Sequence, residues 1–282
     1  MAIYQDEVSP YALDLTLKLS QTFFAYVSSS DEDDSDEAEL AASGCLCTIK
    51  KILMAKLNQE TYHKAVEILV PVFNYTLSEK GSTFLEEGLG CLNGILFNML
   101  DISEKMWHYY LVLNYIIAGK PKNIPIENTL GTIPDEKALI YEQTESGWGP
   151  HYIEQMLGSL QNYISKGKGL LLQAKDPGFG VTYLELLFKS IERIYDRNKD
   201  AKDDIELTLV TTLFISIIES CVGLIDNIVP LIMEKCVILL NNNKKHKNFK
   251  KILTQTVAFL YESFGFNENL SRLLWEYGTI QS

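Results

Sequence analysis

Residues 205–240, IELTLVTTLFISIIESCVGLIDNIVPLIMEKCVILL, hold two apolar runs of helical length separated only by Gly223-Leu224-Ile225-Asp226-Asn227. A junction this short makes two helices fold back antiparallel on one another. In the second run Ile228, Leu231, Ile232, Lys235, Cys236 and Leu239 recur at three- and four-residue steps. Asp226 or Asn227 offers its N-cap, and Pro230 is tolerated in the opening turn. The first run is apolar nearly all round, which predicts burial on several sides. A membrane span competes with that reading. Glu206 and Glu219, however, bracket a core carrying Thr208, Thr211, Thr212 and Ser216, leaving about a dozen residues where roughly 20 are needed. A helix buried on several sides needs neighbours, and the remaining chain is read for them.

The chain has 282 residues, 46% of them hydrophobic and 22% charged, which suits one large core rather than a disordered chain. Only 8 Pro and 17 Gly interrupt it, and strict apolar/polar alternation is scarce, so the expected class is all-α. From the amino end, Ser9-Pro10 opens a helix reaching about 27, with Leu13, Leu17, Ser20 and Phe24 on one face. A second helix is expected over 39–57 with Ala42, Cys45, Ile49, Ile52 and Leu53 on its apolar side. A third, over 60–77, contains Pro71, which should kink it. Ser82 caps a fourth through Leu85, Leu89, Leu92, Ile95, Leu96 and Met99, and a fifth runs from Ser103 to Gly119. Further helices are expected over 151–165, over 181–195 after the turn Asp176-Pro177-Gly178-Phe179-Gly180, and beyond 251. Helix pairs thus recur every 40 to 50 residues or so, the spacing of HEAT-type repeats. The expected fold is an all-α, HEAT-repeat-like α-solenoid, a superhelix of about five antiparallel helix pairs over 1–282. Two segments break its rhythm, an acidic loop at 28–39 and an inserted loop at 119–150 rich in Pro and Gly.

Net charge is −12, which excludes a nucleic-acid binder that works by neutralising phosphates. More than half of that excess lies in Asp31, Glu32, Asp33, Asp34, Asp36, Glu37 and Glu39. Charges of one sign this dense repel one another and stay solvated, so these seven form either a plain solubilising loop or the candidate contact for basic protein partners. Lys244 to Lys251 (KKHKNFKK) is a basic counterpart, expected as a wet inter-helix loop.

Groupings that carry reactions are missing from the sequence. His63, His108, His151 and His246 are isolated, with no HExxH and no Cys/His spacing for a metal. Gly167-Lys168 lacks the following Ser or Thr of a phosphate loop, and no Gly-x-Ser-x-Gly elbow occurs. Cys45, Cys47, Cys91, Cys221 and Cys236 sit singly in apolar helices and read as free thiols of a reducing compartment. No enzyme, cofactor or metal is expected, and no targeting segment is visible. Trp107, Trp148 and Trp275 are expected in core positions.

Three stretches carry a resemblance. Phe84-Leu85-Glu86-Glu87 through Asp101, Lys105-Met106-Trp107 and Leu111 form the first, and Ala41-Ala42-Ser43-Gly44-Cys45-Leu46 after the acidic run the second. The third is Ile225-Asp226-Asn227-Ile228-Val229-Pro230-Leu231. In that order along the chain they resemble the importin-beta superfamily, specifically the importin seven and eight branch. The similarity touches most of residues 8–242 through scattered apolar positions; the 119–150 loop departs from it. It implies the carboxyl-terminal portion of a nuclear transport receptor that carries cargo through nuclear pores. By resemblance its further partners would be the Ran GTPase and Phe-Gly nucleoporins, in cytoplasm, nucleus and nuclear pore. The alternative is a HEAT or armadillo-type scaffold subunit of another intracellular complex, such as a coat or a phosphatase regulatory subunit.

Overall fold

In the computed structural model, described residues are 9–29, 35–119, 149, 152–198, 205–221, 223–226 and 251. Among them lie eight α-helices and no strand: α1 Ala12–Ser29, α2 Ser35–Leu53, α3 Gln59–Thr76, α4 Leu85–Asn98, α5 Glu104–Ala118, α6 Ile153–Gln173, α7 Tyr183–Asn198 and α8 Ile205–Ser220. Short 3₁₀ turns, Ser9–Tyr11 and Ser82–Phe84, lead into α1 and α4. The second apolar run, the segment 252–282, the lysine-rich stretch 244–250, Trp148, Trp275 and most of 119–150 lie outside the described residues.

Successive helices are antiparallel and alternate between two layers. In one layer α1 packs on α3, α3 on α5 and α5 on α7; in the other α2 packs on α4, α4 on α6 and α6 on α8. Side-chain contacts fix a parallel register within each layer. Phe23 meets Tyr75, Phe73 meets Tyr109 at 5.2 Å, and Ser190 Oγ donates to Asn114 Oδ1 at 2.7 Å. In the second layer Cys91 Sγ donates to the Leu46 carbonyl, Asn162 Nδ2 to Asn93 Oδ1, and Gln161 Nε2 to Ser216 Oγ. Four helix pairs are therefore described, starting about 45 residues apart before the insertion, and each covers apolar area that its neighbour would otherwise expose.

Local chemistry explains the helix limits. Asn58 caps α3 by accepting from the Thr61 N–H at 2.8 Å. Thr182 and Glu185 form a reciprocal capping box at the start of α7, with the Glu185 carboxylate accepting the Thr182 N–H at 2.7 Å. Those bonds hold the Glu185 carboxyl below its ordinary range. Between α6 and α7 the buried Asp176 carboxylate accepts from the Phe179 N–H and the Tyr115 hydroxyl, while Gly180 takes φ 68° to close the turn. α5 has buried residues on every face, from Met106 to Ile117, and lies in the middle of the stack.

Several expectations shift. α2 begins at Ser35 rather than 39, so Asp36, Glu37 and Glu39 are helical, and Ser28 and Ser29 end α1. Carboxylates in a first helical turn complement its positive dipole end, which turns part of the expected acidic loop into a helix start. Leu17 faces solvent; the buried stripe of α1 is Ala12, Thr16, Ser20 and Phe23, with the two hydroxyls satisfied by the carbonyls of Ala12 and Thr16. The helix expected to end near Ser165 breaks at Lys168 (φ 9°, ψ −86°), and a further helical stretch beyond it completes α6 at Gln173. The stripes expected on α2 and α4 are buried as read, and every position of α8 except Ile205 and Glu219 is at least half-buried.

Candidate functional site

Because helices within a layer are parallel, α2, α4, α6 and α8 all begin on one edge of the stack. Each begins with acid: Asp36 and Glu37, then Glu86 and Glu87, then Glu154, then Glu206. The first-layer helices also begin with carboxylates, on the opposite edge: Asp14 is bridged by Lys18 at 2.8 Å and Glu60 by Lys64 at 2.6 Å, while Glu104 and Glu185 have no salt bridge among the described residues. Among the described residues no salt bridge reaches Asp36, Glu37, Glu39, Glu86, Glu87 or Glu154. Glu87 accepts a short hydrogen bond from Ser43, and the other five are exposed. The negative charge of this edge is left for solvent or a partner.

Of the seven acids singled out in the sequence, Asp36, Glu37 and Glu39 join this row, while Asp31, Glu32, Asp33 and Asp34 lie outside the described residues. Glu86, Glu87 and Glu154 were not singled out. Their signal was an acid in the first turn ahead of each second-layer apolar run, legible only once the repeat register is known. The insertion is rooted on the same edge, since Gly119 ends α5 and the Gly149 N–H donates back to the Ile116 carbonyl at 3.1 Å.

A cleft of about 180 Å³ opens at this edge between the first two pairs, lined by Tyr26 and Val27 of α1, Ala38 and Glu39 of α2, Tyr75 of α3, and Lys80, Thr83 and Phe84 of the following turn. Its floor is rigid: Phe23 meets Phe84 edge-on at 5.3 Å and Tyr75 at 5.9 Å. Burial, and then the negative charge of Glu39, push the Tyr75 hydroxyl above its ordinary pKa. The turn bearing Lys80 is seated by Gly81, where a Cβ would lie 2.0 Å from the Tyr75 carbonyl oxygen.

Trp107 is buried, ringed by Tyr110, Tyr163 and Tyr183 at 5.2 to 5.6 Å, and is a core residue as expected. The opposite edge exposes apolar side chains, Phe97 at 62% and Leu100 at 73%. Among the described residues no helix is long and apolar enough to cross a membrane, and no group of three or more His, Cys, Asp or Glu could hold a metal ion.

No family model matches the chain, and no solved structure matches it. Curated proteins do. It is 26% identical over 95% of its length to an importin beta-like SAD2 homolog of Arabidopsis thaliana, and 23% identical over 90% to a probable importin-7 homolog of Dictyostelium discoideum. Its relatives are importin-like. A probable importin of Encephalitozoon cuniculi matches a shorter part, 26% identical over 39% of the chain. The resemblance to the importin-beta superfamily therefore extends over nearly the whole sequence, and the two-layer stack is the HEAT-repeat-like solenoid that such relatives imply. The chain spans about a quarter to a fifth of the length of the first two relatives, 23% and 21%.

Proposed function

We propose that this importin-like chain is the cargo-binding part of a nuclear transport receptor. It would hold basic protein segments along the acidic edge, without catalysis, on the way through the nuclear pore. The carrying observation is the row of carboxylates without salt bridges at the starts of α2, α4 and α6, extended in sequence by Asp31, Glu32, Asp33 and Asp34. Such a field steers a basic tail and speeds association more than it deepens affinity, and it is screened over about 8 Å at physiological salt. The Ran GTPase and Phe-Gly nucleoporins are proposed as further partners from kinship alone, with residence in cytoplasm, nucleus and pore. A scaffold subunit of another assembly would use the same fold.

The test titrates the parent and a variant with Asp31, Glu32, Asp33, Asp34, Asp36, Glu37 and Glu39 changed to Asn or Gln against a histone-tail-like peptide, at low and physiological salt. Association should be fast for the parent, fall steeply with salt, and slow at least tenfold in the variant while its thermal melt is kept. Equal rates for both proteins, or no binding by the parent, would return the weight to the scaffold.

A further inference from the structure

Resting on that reading, we infer that the cleft between the first two helix pairs is a subsite for one arginine side chain of the basic segment. The chemistry follows from its walls. Glu39 supplies a carboxylate on the α2 side of a mainly polar lining, bordered by Tyr26, Tyr75 and the buried Phe84. A guanidinium is planar and weakly hydrated and presents a rigid fork of N–H donors that a carboxylate accepts in pairs; an ammonium is a compact, strongly hydrated point charge that cannot pair in that way. The volume, about 180 Å³, suits one long side chain rather than a folded segment.

The walls are also held in place before any ligand arrives. Phe23 and Phe84 interlock at 83° beneath the cleft, and Gly81 fixes the turn against the Tyr75 carbonyl. A preformed floor spares the ordering cost of binding. Lys80 lines the same cleft, and among the described residues no salt bridge joins it to Glu39. Its charge opposes a small cation entering alone, so occupancy requires a segment whose other basic residues engage Asp36 and Glu37 beyond the cleft. The edge thus supplies general attraction, and the cleft the choice between arginine and lysine.

Two short peptides of equal length and charge, one with every cation arginine and one with every cation lysine, separate these roles when titrated into the full chain by calorimetry. The arginine peptide should bind the parent about five- to tenfold more tightly. Ala38→Leu fills the cleft without changing charge, and Glu39→Gln removes its carboxylate; both should bring that ratio to about one. Asp36→Asn should weaken the two peptides equally and keep the ratio. A parent ratio near one, or a ratio kept in Ala38→Leu whose thermal melt is unchanged, overturns the subsite and leaves electrostatic docking standing. Failure of the parent to bind either peptide overturns the basic-cargo reading itself, and the subsite with it.

Discussion

Cys47 and Cys91 lie near the same α2–α4 seam with opposite environments. Cys47 is exposed, whereas burial pushes the Cys91 thiol up to about 12, and its Sγ donates to the Leu46 carbonyl. Burial also raises Cys45 and Cys221 above their ordinary values. Only the thiolate alkylates, and at pH 8 roughly one Cys91 in ten thousand is ionised. Iodoacetamide at pH 8 should therefore label Cys47 in the native protein and reach Cys45, Cys91 and Cys221 only after denaturant, as read by peptide mass spectrometry. Prompt labelling of Cys91 would show that the α2–α4 seam opens. The sign of the linkage follows: because the folded-state value exceeds the ordinary 9.0, the stability held by a neutral Cys91 is complete below about pH 9 and is lost as pH climbs toward 12. The free thiols were legible from their solitary placement in apolar stripes. Cys45 was read in the apolar stripe of its helix and is buried, whereas Cys47, two residues on, falls on the other side of the helix turn and is exposed.

α3 continues as one helix through Pro71, so the Glu67 carbonyl loses its usual donor four residues on, and the proline ring crowds the preceding turn. Pro71 itself is exposed, so no packing offsets that cost. Pro71→Ala should stabilise the protein by about 1 to 3 kcal/mol in urea titration, through the restored hydrogen bond and better helix propensity. A loss of stability would show that the bend it imposes is needed to seat α3 between α1 and α5. All eight helices were readable in the sequence, α8 from a run apolar nearly all round, and α2 and α4 bury the side chains expected of them. Helix ends were less readable. Asp36 and Glu37 look like loop residues until the dipole of the following helix is counted. Gly167-Lys168-Gly169 looks like a stop, and the helical geometry does break at Lys168; Gly167 is also needed for packing, since Trp107 lies so close that a Cβ there would be 2.3 Å from the ring.

A stack in which each pair touches only its neighbours holds its stability as a sum over interfaces, so protection should vary along it. Amide hydrogen exchange should be slowest in α5, buried on every face, and faster in α1, which among the described residues packs mainly on α2 and α3. Uniform protection across α1 to α6 would mean that the pairs unfold as one cooperative unit. The solenoid itself was legible from the repeat spacing, but the acidic edge was not. It emerges only when parallel registry brings together helix starts that are about 50 residues apart in sequence, and a single chain read linearly has no signal for that adjacency. The Gly149 to Ile116 hydrogen bond carries a further consequence. It joins the two ends of the 119–149 segment through buried residues, so the helices on either side meet the same end-to-end geometry whatever length of chain lies between. Closing a loop costs only about 0.6 kcal/mol more for each doubling of its length. That position is therefore a port at which sequence can be added or exchanged freely, while the bearing surfaces of α5 and α6 keep their alignment.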